Sequence, residues 1–339
     1  MIPVFNTLRF LFITLIFLFH IGLFGYGYSG VTFFFMLSGF VLTLGYGEKA
    51  LGENFSYGNF MKKRISKLYP LHLLCLAFFI VYHLSMGHHV NFSILIPNLF
   101  LVQSWVPRMS FYSSGNGVTW FLSDTIFFYA MFPLLCRWMH GHFRRFVTGL
   151  GIALVVYFVL IQLIPAKLQH GLFYINPAFR LLDFILGMLL CKAYLVLKNR
   201  PLSRLVTGSS FAAAVLIFVG FSFIHAAVQE PYGAGYNVYS FASLYWIPCA
   251  FLILTGALYN PGHQGALGRW GTYSFTFFMI HQLILFMVDD LVPQTGAWAS
   301  LYVRAAVLFP ICYTLAYLIF TCFEKPAIRS LQRRIGLRA

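Results

Sequence analysis

Charge is what this chain has least of. Only 9% of its residues are Asp, Glu, Lys or Arg, against about 25% in a soluble domain. Acidic residues are the scarcest, with 8 Asp and Glu against 23 Lys and Arg. With 60% hydrophobic residues and a mean hydropathy of +0.79, the chain cannot be an ordinary soluble globule. It reads as an all-α polytopic membrane protein, since helices satisfy their own backbone in lipid. Cysteine is sparse too. The six cysteines are scattered singly, without the spacing of a disulfide framework or a metal site, and read as buried thiols. Phosphate-binding loop, dinucleotide fingerprint and nucleophile elbow are all missing. His88-His89 is too weak a pair to define a metal site, and no metal is expected. No signal-peptide cleavage site follows the first apolar stretch, which is therefore read as a span.

What the chain does have is ten apolar runs, at 7–24, 30–47, 69–87, 118–136, 147–165, 179–197, 205–225, 240–258, 271–291 and 300–322. Each is near the length a bilayer core requires. A further run, 92–105, is too short to cross comfortably and is expected to be re-entrant or interfacial. Parity supports this. The loop with Lys62, Lys63, Arg64 and Lys67 and the loop with Arg137, Arg144 and Arg145 are both basic. They share a side only if 92–105 fails to cross. By the positive-inside rule that side is cytoplasmic and holds both termini, leaving Arg108, Lys167, Arg180 and Arg304 outside. The net charge of +15 is then a topology signal and a contact for anionic membrane lipid or a phosphorylated ligand; no nucleic-acid partner is expected. Trp120, Trp138, Trp246, Trp270 and Trp298 fall near span ends, where an aromatic belt belongs.

Arg9 and His20 share the first span. Eleven residues cover roughly 16 Å at the helical rise, and leave both side chains on nearly one face. Ionisable groups inside a span are costly and default to a functional reading. His20 is either a helix-packing histidine or a general base for a hydroxyl proton. Arg9 is either a snorkelling anchor or a binder of phosphate or carbonyl. Arg64 and Lys67, at i and i+3, share a helix face; they are an ordinary basic anchor or a phosphate clamp. Trp120 is a belt residue or opens a site in which Ser123 and Asp124 bond a sugar hydroxyl or orient a base. Arg180 and Asp183 read foremost as a structural ion pair, and His281, alone in the ninth span, as a packing residue.

Together these stretches resemble the membrane acyltransferase 3 family, over nearly the whole chain. Arg9 and His20 match its Arg-x10-His motif. Gly30-Val31-Thr32-Phe33-Phe34-Phe35-Met36-Leu37-Ser38-Gly39-Phe40 is close to its second-helix signature. Arg64-Ile65-Ser66-Lys67-Leu68-Tyr69-Pro70 resembles its Arg-x-x-Arg loop. Trp120-Phe121-Leu122-Ser123 is similar to its Trp-Ser-Leu-Ser-x-Glu stretch. Arg180 through Met188, Tyr273 through His281, and Glu324-Lys325-Pro326 match later segments. Three positions differ from the family pattern: Lys67 stands for Arg, Phe121 for Ser, and Thr125 for Glu, with Asp124 a candidate substitute.

The resemblance implies one ten-helix domain over 1–339 that moves an acyl group, commonly acetyl from acetyl-CoA, onto a carbohydrate hydroxyl. It implies His20 as base, Arg9, Arg64 and Lys67 as holders of the donor phosphates, and Trp120, Ser123, Asp124, Arg180 and Asp183 as acceptor or supporting residues. The expected location is a bacterial inner membrane. The expected acceptor is a lipid-linked glycan of exopolysaccharide or O-antigen type. The alternative is a transporter of a lipid-linked saccharide, which would consume no acyl-CoA.

Overall fold

The computed structural model describes residues 2–25, 27–232, 242–260, 262–263 and 265–337, and those residues are helical with no strand. The helices used below are α1 (Val4–His20), α2 (Tyr28–Leu51), α3 (Tyr57–Ser85), α4 (Phe92–Leu99), α5 (Trp120–Gly141), α6 (Phe143–Leu163), α7 (Pro177–Leu197), α8 (Arg204–Tyr232), α9 (Trp246–Tyr259), α10 (Ser274–Leu291), α11 (Leu301–Ile319) and α12 (Lys325–Arg334). Seven helical stretches, containing α2, α3, α5, α6, α8, α10 and α11, are long and apolar enough to cross a membrane. The shorter apolar helices α1 and α9, and α7, which carries Arg180, Asp183 and Lys192, occupy the other three expected spans. The opening residues of the 240–258 run lie partly outside the described residues.

Several boundaries move, each for a local reason. α1 stops at His20, four residues before the expected end of the span. Gly22 follows with φ 87°, a left-handed turn that favours glycine. His20 therefore closes its helix instead of sitting within it. α3 starts at Tyr57, twelve residues before the expected span. Ser56 caps it by accepting from the Asn59 amide, so the basic run 62–67 is part of the helix. α7 begins where Asn176 accepts from the Ala178 amide and Pro177 takes the first helical position, an arrangement that needs no amide hydrogen there.

The 92–105 run forms no spanning helix, as expected of a re-entrant or interfacial segment. α4 has eight residues, about 12 Å of helix, less than half a bilayer core. It runs back beside α3: Leu95 clusters with Leu76, His72 Nε2 donates to Asn98 O (3.0 Å) and the Tyr69 hydroxyl to Leu99 O (3.0 Å). Leu101, buried and with φ 55°, turns the chain around. Irregular backbone at membrane depth is tolerated only when protein buries and satisfies it. Here the Asn98 amide donates to Ser114 O and Thr119 Oγ1, and the Asn116 amide to Met279 O (2.6 Å).

At the centre α2 crosses α7 at two glycines. A Cβ on Gly39 would strike Phe184 O, and one on Gly187 would strike Met36 O. Such close backbone approach is how membrane helices gain dispersion contact in the absence of a hydrophobic driving force. Around this crossing Phe33, Phe35, Phe40, Phe128, Phe132 and Phe184 are fully buried.

One expectation about surface residues is corrected. Trp120 and Trp246 are interior, each 8% exposed, because each indole has a place inside: Trp246 Nε1 donates to Asp183 Oδ1 (2.8 Å). The expected ion pair of Arg180 and Asp183 is present, and Arg304, expected on the outer side, is also paired. Arg180 pairs with Asp183 inside the bundle, and Arg304 with Asp289. Of the cysteines, five are buried and Cys322 is exposed; all six are free thiols.

Candidate active site

His20 is brought to His281. His20 Nδ1 lies 2.8 Å from His281 Nε2, joining the end of α1 to the middle of α10. The surrounding bonds fix the protons. His281 Nδ1 faces two backbone carbonyls, Phe278 O at 2.8 Å and Phe277 O at 3.2 Å. Carbonyls only accept, so Nδ1 of His281 carries its hydrogen. Its Nε2 is then the acceptor of the neutral ring, and His20 Nδ1 donates to it. That leaves Nε2 of His20 as the basic nitrogen. His281 is fully buried, with its ring stacked on Phe277 (5.7 Å between centroids, 11°).

Two neighbouring cavities lie along α1 and α10; His20 lines the smaller, and neither histidine lines the larger. The larger, about 510 Å³, opens toward the Arg9 end of α1. Arg9, Asn6, Lys67, Tyr129, Thr272 and Glu324 line it, with Phe34, Phe121 and Ile328 among its apolar walls. Arg9 Nη1 donates to Asn6 Oδ1 (2.9 Å), and Glu324 accepts from Thr276 Oγ1 (2.5 Å). The smaller, about 190 Å³, contains His20 and is walled by Tyr28, Tyr112, Trp120, His170, Tyr174 and Gln282. Two π-helical turns feed the cavities, a conformation frequent at functional sites. His170–Ile175 delivers His170 and Tyr174 to the smaller, and Phe320–Glu324 delivers Phe320 and Glu324 to the larger.

The other expected residues divide. Lys67 lines the larger cavity, but Arg64 does not. Its guanidinium stacks 4.3 Å from the Tyr46 ring centroid, with the Phe60 and Tyr129 rings at 5.4 and 5.6 Å. Trp120 lines the smaller cavity, whereas Ser123, one turn on, accepts from Ser104 Oγ (2.6 Å) and lines neither. Asp124, Arg180 and Asp183 are buried together away from both cavities. Arg180 donates to Thr32 Oγ1 (3.3 Å), lies 3.4 Å from Asp183, and sits over the Phe35 and Tyr174 rings. Both Asp124 carboxyl oxygens lack a hydrogen-bond partner. The cluster meets the smaller cavity through Tyr174, over whose ring Arg180 sits, and the larger through Phe35, which stacks on Phe121. His281, Tyr28, Tyr174, Gln282 and Glu324 were not singled out as site residues; for His281 and Glu324 the signal was their place in the matched segments Tyr273–His281 and Glu324-Lys325-Pro326.

An imidazole pair at one of two adjoining cavities in an apolar helical bundle is a site fit for proton-transfer chemistry, and known proteins offer a comparison. Residues 2–323 match the family described as acyltransferase domain, the acyltransferase 3 type. The chain belongs to that family. It is a membrane acyltransferase. Acyltransferase MdmB of Streptomyces mycarofaciens is 27% identical over 340 residues, covering 91% of this chain and 82% of that protein. Protein 2 in picA locus of Rhizobium radiobacter is 42% identical over 59 residues, 17% of this chain and 31% of that protein. No solved structure matches the chain. The acyltransferase departs from the family pattern at Lys67, Phe121 and Thr125, and all three line the larger cavity. Asp124, adjacent to Thr125, lines neither cavity and is buried with Arg180 and Asp183.

Proposed function

We propose that this acyltransferase moves an acetyl group from acetyl-CoA to a carbohydrate hydroxyl, with the larger cavity taking the donor and the smaller the acceptor. One arrangement supports the reading: His20, hydrogen-bonded to His281, lines a cavity walled by aromatic rings, and that cavity shares Ile16, Val31 and Phe278 with one lined by Arg9 and Lys67. Cations suit the phosphates of coenzyme A. Tyr and Trp faces beside polar tips suit a sugar, which presents apolar C–H faces rimmed by hydroxyls.

In the reaction, Nε2 of His20 takes the proton from the acceptor hydroxyl. The oxygen attacks the thioester carbonyl, the carbon–sulfur bond breaks, and the coenzyme A thiolate recovers the proton from the imidazolium. The hydrogen bond to His281 holds His20 in the required tautomer and stabilises its charged form. Arg9, at the donor end of the same helix, binds a phosphate or the arm's carbonyl. By the charge argument the donor cavity faces the cytoplasm, with both termini on that side of a bacterial inner membrane. The acceptor is then a lipid-linked glycan reached from the other side.

The test is coenzyme A release from acetyl-CoA, with acetyl incorporation into membrane-bound glycan, in membranes carrying the wild type or His20→Ala. The wild type is expected to do both and the variant neither. Release without incorporation would refute the carbohydrate acceptor. No release at all would refute the donor and favour a transporter.

A further inference from the structure

Ile16, Val31 and Phe278 line both cavities, so these three side chains are the partition between them. All are buried, at 2, 5 and 7% exposure. Their registers tie the partition to the imidazole pair. Ile16 precedes His20 by four residues on α1, and Phe278 precedes His281 by three on α10, so each lies about one helical turn, roughly 4.5–6 Å, toward the donor side of its histidine. The partition is also stiff. Ile16 and Val31 are β-branched, with restricted χ1. Ile16 packs on Gly30 so closely that a Cβ there would come within 2.6 Å of its Cγ1. The Phe278 ring is braced 5.1 Å from Phe121 and 5.9 Å from His281, centroid to centroid.

We infer that Ile16, Val31 and Phe278 are the gauge that selects the acyl group, passing small unbranched acyl chains and rejecting branched ones. The inference rests on the larger cavity being the acyl-CoA site. An acyl group arriving from that cavity must clear the partition before its carbonyl carbon reaches an oxygen deprotonated by His20. The thin pantetheine arm follows behind it. A branch beside the carbonyl widens the group where it must pass the three side chains. On the far side the space is about 190 Å³ and is shared with the acceptor, which further favours the smallest acyl group. Apolar contacts of this kind discriminate by about 10–200-fold per methylene.

The experiment compares coenzyme A release from acetyl-, butyryl- and isobutyryl-CoA in membranes of expressing cells, with His20→Ala membranes as the background. The readout is the isobutyryl-to-acetyl rate ratio within one preparation, which does not depend on how much protein accumulates. The wild-type ratio is expected below about 0.1. Ile16→Ala and Val31→Ala are each expected to raise it about tenfold, Ile16→Val less. Phe278→Leu gives a second measurement if Ile16→Ala fails to accumulate. A wild type that uses isobutyryl-CoA as readily as acetyl-CoA overturns the gauge, and so does a ratio unchanged in all variants. A wild type that consumes no acyl-CoA above background refutes the donor reading itself, and the gauge falls with it.

Discussion

His20 and His281 are a unit whose members carry unequal weight. His20→Ala removes the base and should lower acyl transfer by about 10²–10⁴-fold. His281→Phe keeps an aromatic ring but removes the acceptor for His20 Nδ1, so the tautomer is no longer fixed. Its rate should fall between wild type and His20→Ala, with the KM for acetyl-CoA little changed. A wild-type rate in His281→Phe would reduce His281 to a packing residue. The two cations differ likewise. Lys67 lines the donor cavity while Arg64 is committed to the Tyr46 ring, so Lys67→Ala should raise the acetyl-CoA KM more than Arg64→Ala does. Lys67→Arg, which restores a bidentate fork, should hold or lower that KM. Equal effects from the two alanine variants would mean that the run serves the donor only as a diffuse positive field.

Among the elements, the crossing of α2 and α7 is the least tolerant of change, because backbone meets backbone there. Gly187→Val should push Met36 away and cost about 1–3 kcal/mol, the range for overpacking a tight core. The expected readout is a lower midpoint of thermal aggregation in detergent, and Gly45→Val, which meets nothing within 4 Å, is the control. Equal midpoints for the two would show that the crossing yields. The elements also show what a sequence reveals locally and what it hides. Hydropathy located the long helices, since lipid imposes length and apolarity on each independently. It could not see that α1 ends on His20, a matter of one glycine turn. Nor did it reveal that α3 extends through its basic run, because a cap and a helical backbone carry no hydropathy. The Arg9–His20 spacing was visible because eleven residues on one helix define a face. The partner of His20 was not, because it lies 261 residues away in sequence and only packing decides which two histidines meet.

For the whole molecule, the orientation rests on the charges of its loops and is open to direct test. Cys322→Ser removes the one exposed thiol and gives a background of low reactivity. In it, a cysteine replacing exposed Ser110 should react with an impermeant maleimide in intact cells. One replacing Lys62 or His142 should react only after permeabilisation. Labelling of His142→Cys from outside would place α4 across the membrane, reverse every later helix, and remove the acceptor cavity from the outer face. The course of α4 argues for the first outcome, because Asn98, Leu99 and Leu101 are fastened beside α3 and turn back from there.

The partition at Ile16, Val31 and Phe278 has a consequence for the cell's energy supply as well as for acyl choice. On the proposed orientation the two cavities enter from opposite faces, and the apolar side chains between them form the kind of hydrophobic constriction that closes channels to water and ions. Ile16→Ser would place a hydroxyl in that constriction next to two imidazoles able to pass protons. Vesicles carrying it should lose an imposed voltage faster than wild-type vesicles, by a current of protons.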